Sequence, residues 1–252
     1  MSPAVFSAVR SRPLATTATA LTGLLAAGLL LALPGHGAPA SRPVTTDEAA
    51  RLALSRLTSY EASPVLVDIT VPSDGTRTLV HGLVDFRAHH AVGSYTTDGV
   101  GGPGLLAWDG NGVGVAPGKQ PADPGPAALA LTADQMPPQA WSPRAYTTDR
   151  LDTALRLTMA VAADRPDNAE LLAQSGARWL RDEQLDGHRY GVFSGPLPRD
   201  AAAGQSHLVY WVDQDGNLRR LELRGADSGP PTTIDLTERH VDARVPAAPW
   251  GG

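Results

Sequence analysis

HLVYWVDQDGNLRRLELRG, residues 207–225, decides the architecture. Tyr210-Trp211-Val212 and Leu218–Leu223 are runs of strand length, and Asp215-Gly216-Asn217 between them is built from residues that accept a tight turn. Strands joined so closely pair antiparallel, because a parallel pair needs a crossover of a dozen residues or more. The same grammar extends outward. ARWLRDEQL (177–185) and HRYGVFSG (188–195) precede this hairpin, and TTIDLTERHVDARVP (232–246) follows it. Residues 64–116 read as a second meander. VLVDITV lies between Pro64 and Pro72, and Ser73-Asp74-Gly75 makes a turn. TRTLVHGLVDFRAH (76–89) alternates an apolar set at Val80, Val84 and Phe86 with polar neighbours. A strand from Val92 follows, then LLAWDGNGVGV with a hairpin turn at Asp109-Gly110-Asn111-Gly112.

Helical periodicity appears in two places. In residues 44–60, Ala49, Leu52, Ala53, Leu57 and Tyr60 share a face, and Thr45 and Glu48 have capping-box spacing. In residues 149–174, Leu151, Leu155, Met159 and Ala162 recur at helical spacing, and Pro166 is placed to open a second helix. Residues 117–147 are rich in Pro and Gly with little periodicity, which predicts a surface connection or flap. The order helix, strands, helices, strands predicts an α+β fold, a curved antiparallel sheet wrapped around a few helices, as a single domain over residues 41–249.

The 252 residues contain no cysteine, which excludes a disulfide framework, a thiolate metal site and a cysteine nucleophile. Residues 1–40 contain no acid. Arg10 and Arg12 precede an apolar stretch from Leu14 to Leu33, and Ala38-Pro39-Ala40 follows. This is the pattern of a signal peptide cleaved after Ala40; its length also suits an uncleaved membrane anchor. Either way the domain is expected outside the cytoplasmic membrane, with the leading helix as its route to membrane association. Loss of those two arginines takes the formal charge from −5 to −7. A mildly acidic domain with scattered arginines is not built for nucleic acid.

Several constellations are weaker than they look. Asp213-Gln214-Asp215-Gly216-Asn217 resembles a calcium loop, but its Gly is fourth, where an EF-hand needs it sixth. His89 and His90 project to opposite faces of an extended strand, and His81 is eight residues from His89. Asp182, Glu183 and Asp186 read as a solvated rim. Ser94 and Ser194 lack a nucleophile elbow, so no catalytic set, metal or cofactor is expected.

Taken together, TTDEAARLALSRL after the leader, LVHGLVDFRAHHAVGSY, GARWLRDEQLDGHRYGVFSG, YWVDQDGNLRRLEL and TIDLTERHVDARVPAAP resemble the LppX/LprG-type mycobacterial lipoproteins of LolA-like fold. The resemblance covers about residues 44–249. It implies a half-barrel that binds acyl chains or lipidated molecules in an apolar cavity. The chain departs from that family in having no lipobox Cys. Sheet residues expected to line such a cavity are Val67, Ile69, Val84, Phe86, Leu106, Trp108, Trp211, Leu221 and Leu223. The expected function is thus non-enzymatic sequestration of a lipid or other long apolar ligand by a monomer. The alternative is a cell-envelope interaction module whose core is filled by its own side chains.

Overall fold

The computed structural model describes residues 40–73, 75–99, 101–119, 125–197, 206–225 and 229–249. The leader or anchor expected over 1–40 lies, except for Ala40, outside the described residues. Strand β1 (Arg42–Pro43) precedes helix α1 (Thr46–Glu61). A meander follows: β2 (Val65–Ser73), β3 (Thr76–Asp85), β4 (His90–Thr97), β5 (Gly104–Asp109) and β6 (Gly112–Pro117). Helix α2 (Pro126–Asp134) and β7 (Ser142–Ala145) come next, then α3 (Arg150–Ala160) and α4 (Ala169–Gln174). The second meander is β8 (Arg178–Leu185), β9 (His188–Ser194), β10 (Leu208–Val212), β11 (Leu218–Leu223) and β12 (Thr232–Glu238).

All twelve strands form one open, curved antiparallel sheet in the order β1-β8-β9-β10-β11-β12-β2-β3-β4-β5-β6-β7. The two meanders meet where β12 pairs with β2, Ile234 opposite Ile69. Helix α3 packs on β12 and β2 and also on β5, three strands further along. Strands lie about 4.8 Å apart, so one slim helix reaches all three only because the sheet curls around it.

Both faces of the central strands are covered, which explains their nearly continuous apolar runs. Val65, Val67, Ile69 and Val71 of β2 join Val84, Trp108, Leu221 and Ile234 beneath α1 and α3. The alternate residues Leu66, Leu83, Val92, Leu105 and Ala107 face Leu129, Ala130 and Ala133 of α2, with Val241 and Val245. Residues 125–145, expected as part of a surface connection, thus carry a helix and a strand. Pro126 occupies the first turn of α2, where its missing amide costs nothing, and the Ala- and Leu-rich run behind it propagates the helix.

The capping box forms as its spacing predicts. Glu48 N donates to Thr45 Oγ1 at 3.3 Å, and Thr45 N donates to Glu48 Oε2 at 2.8 Å. The second helix of the pair begins at Ala169 rather than at Pro166, because Asn168 Oδ1 caps it by accepting from Leu171 N. His89 lies in the turn between β3 and β4 at φ 57°, so the alternation argument for His89 and His90 does not apply to it. Among the described residues no helix is long and apolar enough to cross a membrane.

Candidate functional site

The sheet separates the nine expected cavity residues into three groups. Val67, Ile69, Val84, Phe86, Leu106, Trp108 and Leu221 lie on the face toward α1 and α3, each 0–2% exposed. Water reaches little of any of them, and Ile69 also borders a shallow hollow between β2, β3 and β4. Trp211 is equally buried but faces the other way, packed with Tyr190, Val192 and Val209. Arg181 and Arg220 approach its ring at 5.7 and 5.9 Å from the centroid. Leu223 alone is half-buried and borders an open apolar groove.

That groove, of about 620 Å³, lies between α3 and the ends of β10 and β11. Thr153, Arg156, Leu157 and Ala160 form its helical wall. Their spacing places them on one face of α3, away from the buried Ala154, Leu155 and Thr158. Leu208, Tyr210 and Leu223 form the sheet wall, with Leu208 directly opposite Leu223 across the ladder. Pro196 and Leu197 close one side. They are held there by Gly195 N donating to Leu208 O at 2.8 Å and Leu197 N donating to Ser175 O at 3.0 Å. A methyl group at Gly195 would lie 2.9 Å from Tyr210 Cε2, so only glycine lets this strand run past the phenol. Burial pushes the Tyr210 phenol up to about 12, which keeps its proton in place. Sequence reasoning missed all of these residues except Leu223. The available signal was a second apolar stripe on α3 at Leu157 and Ala160, off the Leu151–Leu155–Met159 line.

A polar cleft of about 510 Å³ opens between the start of α1, β8, β9 and the β10–β11 turn. Its charges are largely spent on one another. Arg42 forks onto Glu48 with two 2.7 Å bonds and stacks 4.5 Å from the Trp179 centroid. This fork holds the Glu48 carboxyl down to about 2 against the opposing effect of burial, with the Thr45 amide helping. The expected acidic rim is ion-paired: Asp182 with Arg189, Glu183 with Arg181, and Asp186 with Arg219. Asp213 Oδ1 accepts from Asp215 N and Asn217 N, so its carboxylate braces a hairpin turn. Among the described residues no three potential metal ligands converge.

The register also brings Asp68, His81 and Ser94 into one row across β2, β3 and β4. His81 Nδ1 lies 2.6 Å from Asp68 Oδ1. The row borders a shallow hollow of about 310 Å³ on the face shared with α2. The local sequence around Ser94 holds no sign of it, since its partners are strand neighbours rather than chain neighbours. Acyl transfer also needs donors aimed at the developing oxyanion. The amides of these central strands belong to ladders with neighbouring strands on both sides.

No protein-family model and no curated protein matches the chain. Among solved structures it is similar to an uncharacterized conserved protein from Thermus thermophilus, at 11% identity and a TM-score of 0.41, over 78% of this chain and 90% of that one.

Proposed function

We propose that this chain is an exported, non-enzymatic binding protein that holds one long apolar ligand in the groove between α3 and the β10–β11 strand ends. In this reading the curved sheet is a half-barrel of the LolA-like kind, and the LppX/LprG resemblance extends to its use as a lipid holder. The supporting observation is the groove itself: about 620 Å³, open, and walled by Leu157, Ala160, Leu197, Leu208 and Leu223. Small-molecule sites span roughly 300–1,000 Å³ and are mostly apolar with a few polar groups.

The energetics set what the groove can do. Each buried methylene is worth about 0.8 kcal/mol, so about ten of them give a gross gain near 8 kcal/mol. Immobilising a ligand costs on the order of 4–15 kcal/mol. A single chain in this groove is therefore weakly held and exchangeable, as suits transient sequestration. The interaction-module reading is favoured by a different observation, the burial of Val67, Ile69, Val84 and Trp108. Uptake of the neutral fluorophore N-phenyl-1-naphthylamine separates the two. The carrier reading expects saturable uptake by the full chain and its loss in Leu157→Arg with unchanged circular dichroism. Equal uptake by both proteins, or none by the native one, supports the module instead.

A further inference from the structure

We infer that the groove is specific for an amphiphile with an anionic headgroup, its single apolar chain lying along Leu157, Leu208 and Leu223 and its carboxylate or phosphate meeting Arg156. This rests on the groove being a ligand site and adds the chemistry of the headgroup.

Three observations carry it. First, among the described residues no Asp or Glu lines the groove, although the chain's formal charge is −5. An anion entering here meets no like charge on the walls. Second, Arg156 is exposed on the groove wall and makes no hydrogen bond or ion pair among the described residues. Other arginines are committed: Arg144 to Asp152, Arg56 to Asp167 and Arg220 to Asp235. Arg156 presents its fork of donors beside apolar surface, an arrangement matched to a two-oxygen anion. Third, Tyr210 and Thr153 also line the groove, and neither hydroxyl makes a hydrogen bond among the described residues. Tyr210 is a protonated donor at neutral pH, because burial opposes its ionisation. Among the described residues the walls thus offer unused donors and no carboxylate, which favours an acceptor-rich anion over a cation.

The test is displacement of N-phenyl-1-naphthylamine from the full chain by four twelve-carbon competitors: dodecanoate, dodecyl phosphate, dodecanol and dodecyltrimethylammonium. The two anions should displace at about tenfold lower concentration than the alcohol, the factor expected of one charge-assisted contact. The ammonium should be the weakest. Arg156→Ala should remove the preference for anions, weakening displacement by the two anions far more than displacement by dodecanol, and Arg156→Lys should restore part of it. Dodecyl phosphate outranking dodecanoate would assign a phosphate headgroup, and the reverse order a free fatty acid. Displacement by dodecanol as strong as by the anions, or an anion preference that survives in Arg156→Ala, overturns the headgroup assignment and leaves the apolar groove standing. Failure of the fluorophore and of dodecanol to enter the native protein overturns the groove reading, and the headgroup assignment with it.

Discussion

The Trp108 indole packs against Gly82, so close that a methyl group at Gly82 would sit 2.8 Å from Cη2. Gly93, the cross-strand partner of Gly82, is similarly overlaid, 3.2 Å from Cζ3. Two facing glycines thus make a trough in β3 and β4 that one large side chain from β5 fills. Trp108 thus occupies the sheet beside β3 and β4, while an open apolar groove lies toward the β10–β11 ends.

Trp108→Ala should empty that trough and lower stability by about 3–5 kcal/mol, the range for removing a large buried aromatic. Gly82→Ala overpacks the same place and should cost about 1–3 kcal/mol. Urea unfolding of both variants checks the pair. A cost below about 1 kcal/mol for Trp108→Ala would mean the indole is not packed as described.

Arg144 on β7 and Asp152 on α3 form a forked pair in which Arg144 Nη2 donates to Asp152 Oδ1 at 2.8 Å. Thr147 N also donates to this completely buried carboxylate, at 2.6 Å. Removing one member leaves the other charge poorly compensated. Arg144→Ala, which strands the buried Asp152 carboxylate, should therefore destabilise by about 3 kcal/mol in urea and raise protease sensitivity around β7. A surface pair such as Arg77–Asp98, where both side chains are more than half exposed, should give under about 1 kcal/mol on the same scale.

Glu48 gives a pH signature. Its carboxyl is depressed from 4.5 to about 2 in the folded protein, so the unfolded state binds the proton first as pH falls. The stabilisation is complete above pH 4.5 and is lost progressively between pH 4.5 and about 2. Glu48→Gln should cost about 2 kcal/mol at pH 7, less than the full shift implies because Arg42 is partly in water. The gap between native and variant protein should close toward pH 2. A gap independent of pH would remove the Arg42–Glu48 pair as its cause.

The export reading makes a separate prediction. Protein secreted by its host should begin at Ser41, one residue before the Arg42 that forks onto Glu48. N-terminal sequencing or top-down mass spectrometry reads this directly. An intact Met1 terminus in the membrane fraction would identify the leading segment as an anchor.

The strands and turns were legible because their signals are local. Asp109 Oδ1 accepts from Asn111 N and Gly112 N in the turn that Asp-Gly-Asn-Gly announces. Thr45 and Glu48 likewise close a capping box within four residues. Strand faces were not legible, because VLV in β2 and LVYWV in β10 are apolar on both sides and alternation cannot orient them. Trp211 turned to the opposite face for that reason. Helix α2 was hidden by its flanking prolines. The groove was hidden because its walls come from α3, β10 and β11, distant in the chain, and because Leu157 reads as one more apolar helix residue until its outward face is known.

The central claim is that the groove carries an apolar molecule in the native protein. Native mass spectrometry of the full chain, purified from its producing cells by mild extraction, addresses it most directly. The account predicts one lipid-sized adduct per chain in the native protein, released on collisional activation and absent from Leu157→Arg. A native protein recovered only at its bare polypeptide mass, or an adduct retained equally by Leu157→Arg, would contradict it.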